Sequence, residues 1–381
     1  MARNYQHLGV YSDWVAAANR AHRLYPEAPP GEETRQKLRE VLGFHFAEER
    51  PRAVKVERRW RRDGLVGEEV SWSVGYGPRT HAWVLKPEGV REPLPAVVAL
   101  HDHGGFKYYG KEKIADGPDE TPPVLQSFRE ELYGGRAYAN ALAREGFIVL
   151  VPDVFLWGSR KFPLETIPEW DRSVGSAIHA WWKGEHTPDE IALFHSVCAI
   201  HEHTVEKYCH LLGTTLAGVI SYEDRVAVHY LRSRKDVRPE AIGCIGLSGG
   251  GVRSALLQAT CDHIRAAVVV GMMCTYGEIL DHNVASHSWM GLPWGWARYG
   301  DYPDIVACRA PSPLMVQYDE DDPLFTLPGM RAAHRRIAAH YRRMGAPKNY
   351  VGEFYPGGHK FDQQMQESAF RWLRKHLVGR G

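Results

Sequence analysis

Apolar residues along the chain fall into two styles, and the change comes near residue 95. Before it, apolar positions are spaced for amphipathic elements. Asp13 to Leu24 and Glu32 to Leu42 carry helical patterning, and Val70, Trp72 and Val74 alternate with polar neighbours as a half-buried strand requires. Trp83-Val84-Leu85 continues that style, and Lys86-Pro87-Glu88-Gly89 closes it as a turn. From Pro95 onward the apolar runs are short and continuous: Ala96 to Leu100, Phe147 to Val151, Ile242 to Ile245, Ala266 to Val270, Leu314 to Tyr318 and Tyr350 to Tyr355. Strands covered on both faces read this way. Amphipathic segments lie between them. Ala137 to Glu145 stops at Gly146, and the segment ending at Met344 stops at Gly345, each glycine standing where a helix C-cap wants a left-handed residue.

Repeated strand and helix units predict an α/β protein with a doubly wound, mostly parallel sheet. Residues 1–90 read as an N-terminal appendage of helices and a β-hairpin, and 91–381 as the main domain. Val154 to Thr215 is too long for one crossover and carries Trp157, Trp170, Trp181 and Trp182, so 154–215 is expected to be a cap-like insertion over the sheet's carboxyl edge, where ligands bind in such sheets.

Charge removes several function classes. The 47 basic and 46 acidic side chains leave a formal net charge of +1, so no overall field draws nucleic acid or an anionic membrane. The basic pairs Arg58-Arg59 and Arg61-Arg62 are interleaved with acids and read as a solvated hairpin. The first residues hold no apolar stretch of about 7–15 residues such as a leader needs, and no window approaches the ~18 apolar residues of a membrane span. Six cysteines (Cys198, Cys209, Cys244, Cys261, Cys274, Cys308) are scattered without a C-x-x-C pair, which suits reduced, packed thiols. A cytoplasmic location is the expectation.

The chemistry concentrates after the Ile242 run. Gly246-Leu247-Ser248-Gly249-Gly250 is a G-x-S-x-G that follows a strand and precedes a helix-compatible run from Val252 to Leu257. That context makes a nucleophile elbow: the turn is so tight that Gly246 and Gly250 avoid side-chain clashes, and Ser248 is thrust out with its hydroxyl exposed. The N–H of Gly249, at the helix start, points at the oxygen that becomes negative in a tetrahedral intermediate. A serine hydroxyl needs a base. Tyr355-Pro-Gly-Gly-His359 presents a histidine on a loop after the last strand, and His359 alone of twenty histidines combines that position with that loop chemistry. The carboxylate that orients it should follow the preceding strand. There Asp319-Glu320-Asp321-Asp322 offers three aspartates, which sequence order does not separate.

Gly-Leu-Ser-Gly-Gly-Gly251, with the preceding Arg238-Pro-Glu-Ala-Ile-Gly243 and the later Asp322-Pro-Leu-Phe and Pro-Gly-Gly-His359, resembles the dienelactone hydrolase and acetyl xylan esterase-like branch of the α/β-hydrolases. The similarity covers roughly residues 90 to 380. In that family the acid falls three residues after a glycine that ends the strand; Asp319 stands at the glycine position here, so the resemblance implies Asp322 as the acid. It also implies a second oxyanion donor in Leu100-His101-Asp102-His103-Gly104-Gly105. Aligned on His101, the donor is the N–H of His103; Asp102 replaces the family's glycine, which leaves a register shift to Gly104 open.

The resemblance implies a carboxylic ester hydrolase, a deacetylase of small acylated substrates, needing no cofactor. His101-x-His103 and His201-x-His203 have metal-ligand spacing, but no third ligand can be named for either, so no metal site is expected. The Trp-rich insertion and Ser288 to Trp296 are candidates both for pocket walls and for structural aromatics, and rings on the insertion would suit a homo-oligomer contact. Two rival functions stand beside esterase. A peptidase of the same fold would carry a propeller ahead of it, which roughly 90 residues cannot build. A non-catalytic binding relative would have no reason to keep serine, acid and histidine together.

Overall fold

A computed structural model describes residues 4–44, 49–181 and 187–378. Trp182 of the insertion lies outside them. Nine strands form one sheet: β1 (Arg52–Arg62), β2 (Leu65–Ser73), β3 (Thr80–Pro87), β4 (Leu94–Leu100), β5 (Ile148–Pro152), β6 (Val237–Leu247), β7 (Ile264–Val270), β8 (Leu314–Asp319) and β9 (Tyr350–Tyr355). Their order is β1-β2-β3-β5-β4-β6-β7-β8-β9. The pairs from β1 to β3, and β3 with β5, are antiparallel; the rest are parallel. Strand β3 is hydrogen-bonded to β5 from Ala82 opposite Pro152 to Leu85 opposite Val149. The strands within residues 1–90 therefore extend the main sheet instead of packing beside it.

Continuous apolar runs became strands because both their faces are covered. Along β4, Ala96, Val98 and Leu100 join one core while Val97 and Ala99 join another, as the two-residue period of a strand dictates. The first core is closed by the helices Leu216–Ser233, Gly249–Thr260 and Leu327–Arg343, the second by Tyr138–Arg144 and Gln363–Leu377. Strand β1 has no such cover. It is almost wholly exposed, and Arg58, Arg59 and Arg61 pair with Asp119, Glu68 and Glu88, which keeps the edge charged and discourages pairing with another chain. All six cysteines are free and buried. Among the described residues no helix is long and apolar enough to cross a membrane.

Strands β4, β6, β8 and β9 run parallel, so their carboxyl ends share one edge of the sheet. The loops carrying His103, Ser248, Asp322 and His359 leave the sheet there.

Candidate active site

Ser248 sits between β6 and the helix Gly249–Thr260 with φ 57° and ψ −119°. A non-glycine residue rarely adopts that backbone, and the cost is met by its surroundings. Its N–H donates to the Val270 carbonyl at 2.8 Å and its carbonyl accepts from Val252 at 2.9 Å, which fixes the turn between β7 and the helix. The flanking glycines are required for space. A Cβ on Gly246 would stand 2.5 Å from the Gly250 carbonyl, and one on Gly250 would stand 2.1 Å from that of Leu100.

On the neighbouring loop, Gly357 turns the chain at φ 100° and His359 follows. Its Nδ1–H donates to Asp322 Oδ2 at 2.6 Å, and Asp322 Oδ1 accepts from the Leu324 amide at 2.9 Å. Of the three candidate aspartates, Asp322 is thus the one held against the imidazole. Asp321 is spent on the loop, accepting from the Gly357 amide, and Asp319, at the strand end, accepts from the Lys360 amide. Burial would favour the neutral ring of His359, but the Asp322 hydrogen bond and the charges of Asp322, Asp319 and Asp102 outweigh it and hold the imidazole above its ordinary value. Asp319 is fully buried, its Oδ1 finds no partner among the described residues, and burial together with the Asp322 charge pushes it up to about 7.

Ser248, Gly249, His103 and His359 line one cavity of about 270 Å³. The His103 nitrogen lies close beside Gly249. Gly249, as the first residue of its helix, has no carbonyl one turn back to receive its N–H. The His103 and Gly249 backbones thus lie side by side at the cavity wall. Gly104, the alternative register, also lines the cavity, with φ 56°.

Behind the loop lies a buried charge cluster that sequence reasoning missed. Glu202, from the helix Asp189–Leu211 of the insertion, accepts from His103 Nε2 at 2.9 Å, from Lys107 Nζ, from Ser288 Oγ at 2.7 Å and from the Trp289 amide at 3.3 Å. His103 Nδ1 meanwhile accepts from the Gly105 amide at 3.0 Å, which leaves the ring's proton on the nitrogen facing Glu202. Although burial opposes it, the charge of Lys107 and the hydrogen bonds from His103 and Lys107 hold the Glu202 carboxyl well below the usual range. Asp102, the departure from the family glycine, is buried too: Lys113 Nζ donates to it at 3.0 Å and the Tyr133 hydroxyl at 2.5 Å. No periodicity marks such residues, because each pairs across the fold with a partner unpredictable from one sequence.

Trp157 and Trp289 take structural roles. Trp157 donates from Nε1 to the His103 carbonyl at 3.2 Å, Trp289 donates to His203 Nδ1 at 2.9 Å, and Trp170 and Trp181 are exposed; the cavity itself is walled by residues such as Val252, Met272, Ile279, Met290 and Leu292. His103 and His203 have protein partners, and His101 Nδ1 donates to the Asp102 carbonyl while its Nε2 has no partner among the described residues. Asp319, Asp322 and His359 do offer ligand atoms within 4.8 Å of one another. Of these, His359 Nδ1 and Asp322 Oδ2 are bonded to each other, Asp322 Oδ1 to the Leu324 amide and Asp319 Oδ2 to the Lys360 amide, while Asp319 Oδ1 has no partner among the described residues.

No family model matches the chain. It is 25% identical over 348 residues to "Putative hydrolase YtaP" of Bacillus subtilis (strain 168), spanning 91% of this chain and 99% of that one. Among solved structures, a "putative acetyl xylan esterase" of Bacteroides fragilis NCTC 9343 superposes with a TM-score of 0.63 at 19% identity, covering 85% of this chain and 73% of that one. A glucuronoyl esterase from Solibacter usitatus gives 0.61 at 13% identity, covering 90% and 92%. Its sheet order, the tight strand-to-helix turn at Ser248 and these likenesses identify the chain as having the α/β-hydrolase fold.

Proposed function

We propose that the protein is a serine hydrolase of carboxylic esters, with Ser248 as nucleophile, His359 as general base and Asp322 as the acid orienting it. The observation carrying this reading is that Ser248, forced into a left-handed backbone at the end of β6, shares a cavity with an imidazole whose far nitrogen is tied to a buried carboxylate. The fold of acetyl xylan and glucuronoyl esterases supports it by analogy.

In the proposed reaction His359 Nε2 takes the hydroxyl proton as Ser248 Oγ attacks the ester carbonyl. The N–H groups of His103 and Gly249 donate to the resulting oxyanion. Collapse expels the alcohol, which receives the proton from His359 and leaves the acyl group on Ser248. Water, deprotonated by the same imidazole, then releases the acid. The chemistry asks for no cofactor. A small acyl group suits a cavity of about 270 Å³, at the low end of pockets that enclose organic ligands, and the six buried thiols suit a reducing, cytoplasmic setting.

Intact-protein mass spectrometry during turnover of p-nitrophenyl acetate tests the covalent step. An added acetyl group, mapped to the peptide holding Ser248, is expected; turnover with acetyl mapped elsewhere contradicts the assignment.

A further inference from the structure

Two apolar spaces meet beyond Ser248. The cavity that holds the serine has Val252, Met272, Met290 and Leu324 among its walls. A second cleft, of about 240 Å³, is lined by aliphatic and aromatic side chains that include Tyr25, Tyr276, Leu280, Val284 and Trp294. Ile279 and Leu292 line both. The order of the walls follows from the chain. Val252 stands one helical turn from Ser248, its amide bonded to the serine carbonyl at 2.9 Å. A Cβ on Gly291 would lie 3.9 Å from Val252 Cγ2, in ordinary van der Waals contact, so the turn Trp289–Gly291 that presents Leu292 packs against Val252. The Tyr276 hydroxyl donates to the Gly291 carbonyl at 3.2 Å and ties that turn to the helix Tyr276–Asp281. Ile279, three residues on, shares the helix face of Tyr276. From Ser248 the wall therefore runs past Val252 to a layer formed by Leu292 and Ile279, with the second cleft behind it.

Apolar wall gains free energy when a ligand removes it from water, in proportion to the area covered. An acetyl group covers little of this wall, and each further methylene covers more until the chain meets Leu292 and Ile279. Resting on the esterase reading above, we infer that the site takes an ester with an unbranched hydrocarbon arm longer than acetyl, running from Ser248 past Val252, and that Ile279 and Leu292 are the stop that sets its greatest length. An acyl chain and an alkyl alcohol present the same hydrocarbon surface, so the substrate is defined by that arm. The stop is one side chain thick. Truncating it joins the cavity to the second cleft, whose rim at Val284 and Trp294 is open to solvent.

The test measures kcat/KM along two series, p-nitrophenyl acetate to decanoate and ethyl acetate to decyl acetate, which tell an acyl arm from an alcohol arm. In one series the wild type is expected to gain about fourfold per methylene, to pass a maximum before the decanoate or decyl member, and then to fall. Leu292→Ala should carry that maximum to longer chains and raise the ratio of the decanoate or decyl ester to its hexanoate or hexyl counterpart by about tenfold. Ile279→Val makes the same comparison with less loss of packing and should shift the maximum in the same direction. Val284→Trp, added to Leu292→Ala, fills the second cleft from its rim and should bring the maximum back, which a merely loosened site would not do. Fastest cleavage of the shortest ester in both series, a maximum that neither truncation moves, or a gain that Val284→Trp leaves intact overturns the inference. If the wild type cleaves no ester, the esterase reading fails by itself. Thermal shifts of Ser248→Ala with straight-chain acids and alcohols then decide this inference separately. A hexyl chain that stabilises more than a decyl chain, with the order reversed on adding Leu292→Ala, supports it; shifts indifferent to chain length overturn it.

Discussion

The backbone nitrogen of His103 lies 2.5 Å from the position a Cβ on Gly249 would occupy. A methyl group there has no room unless the loop carrying His103 moves. Because the clash is with backbone, Gly249→Ala should displace the loop, lowering the melting temperature and pushing one oxyanion donor off its line. The expected result is a fall in kcat of about 10²-fold to 10³-fold in the protein that remains folded, the usual cost of losing one such donor. Wild-type kcat in a folded Gly249→Ala would show that these two amides do not act together.

Asp319 should announce itself through pH. Its native value, pushed up to about 7 by burial, lies above the ordinary ~3.9, so the native state keeps a proton that the unfolded chain releases. Stability therefore falls as pH rises through the window from about 4 to 7. Asp319→Asn removes the charge, and its melting temperature relative to wild type should climb between pH 5 and pH 8. The same change takes one negative charge away from His359. That imidazole acts as a base only when neutral, and its value lies above the ordinary one, so wild-type kcat/KM should lose activity on acidification with a midpoint above about 6.5. Asp319→Asn should move that midpoint downward. An unmoved midpoint would mean that Asp319 is already neutral when His359 titrates.

Glu202 joins the loop of His103 to the insertion and to the segment at Ser288. Glu202→Gln leaves Lys107, whose side chain is 3% exposed, without its ionic partner. A destabilisation of order 3 kcal/mol follows, read by urea unfolding. Because the loop also aims the His103 amide, kcat should fall by about tenfold or more while KM changes little. Lost stability with unaltered kcat would make Glu202 a structural residue alone.

Much of this site is written locally in the chain. Ser248 and His359 each sit at a strand end flanked by glycines, and local patterning finds both. Asp322 was harder: three aspartates share one loop, and only the closing of that loop against Gly357 and Lys360 assigns them different partners. The sheet core was legible because strands covered on both faces read as unbroken apolar runs. Strand β1 was legible only as an arm of a solvated, charged hairpin, since as an edge it buries almost nothing. The extent of β6 back to Val237 was missed for a similar reason, its first turn of sequence being polar and exposed at Pro239 and Glu240. Most hidden were the partnerships of Glu202 and Asp102, which depend on which distant segment arrives beside each.

The most direct measurement of the central claim is hydrolysis of p-nitrophenyl acetate by wild type and Ser248→Ala, each checked for folding by circular dichroism. A loss of about 10⁴-fold or more in kcat with an unaltered spectrum is expected. Equal rates in two folded proteins would contradict it and return the search for a nucleophile to the rest of the cavity.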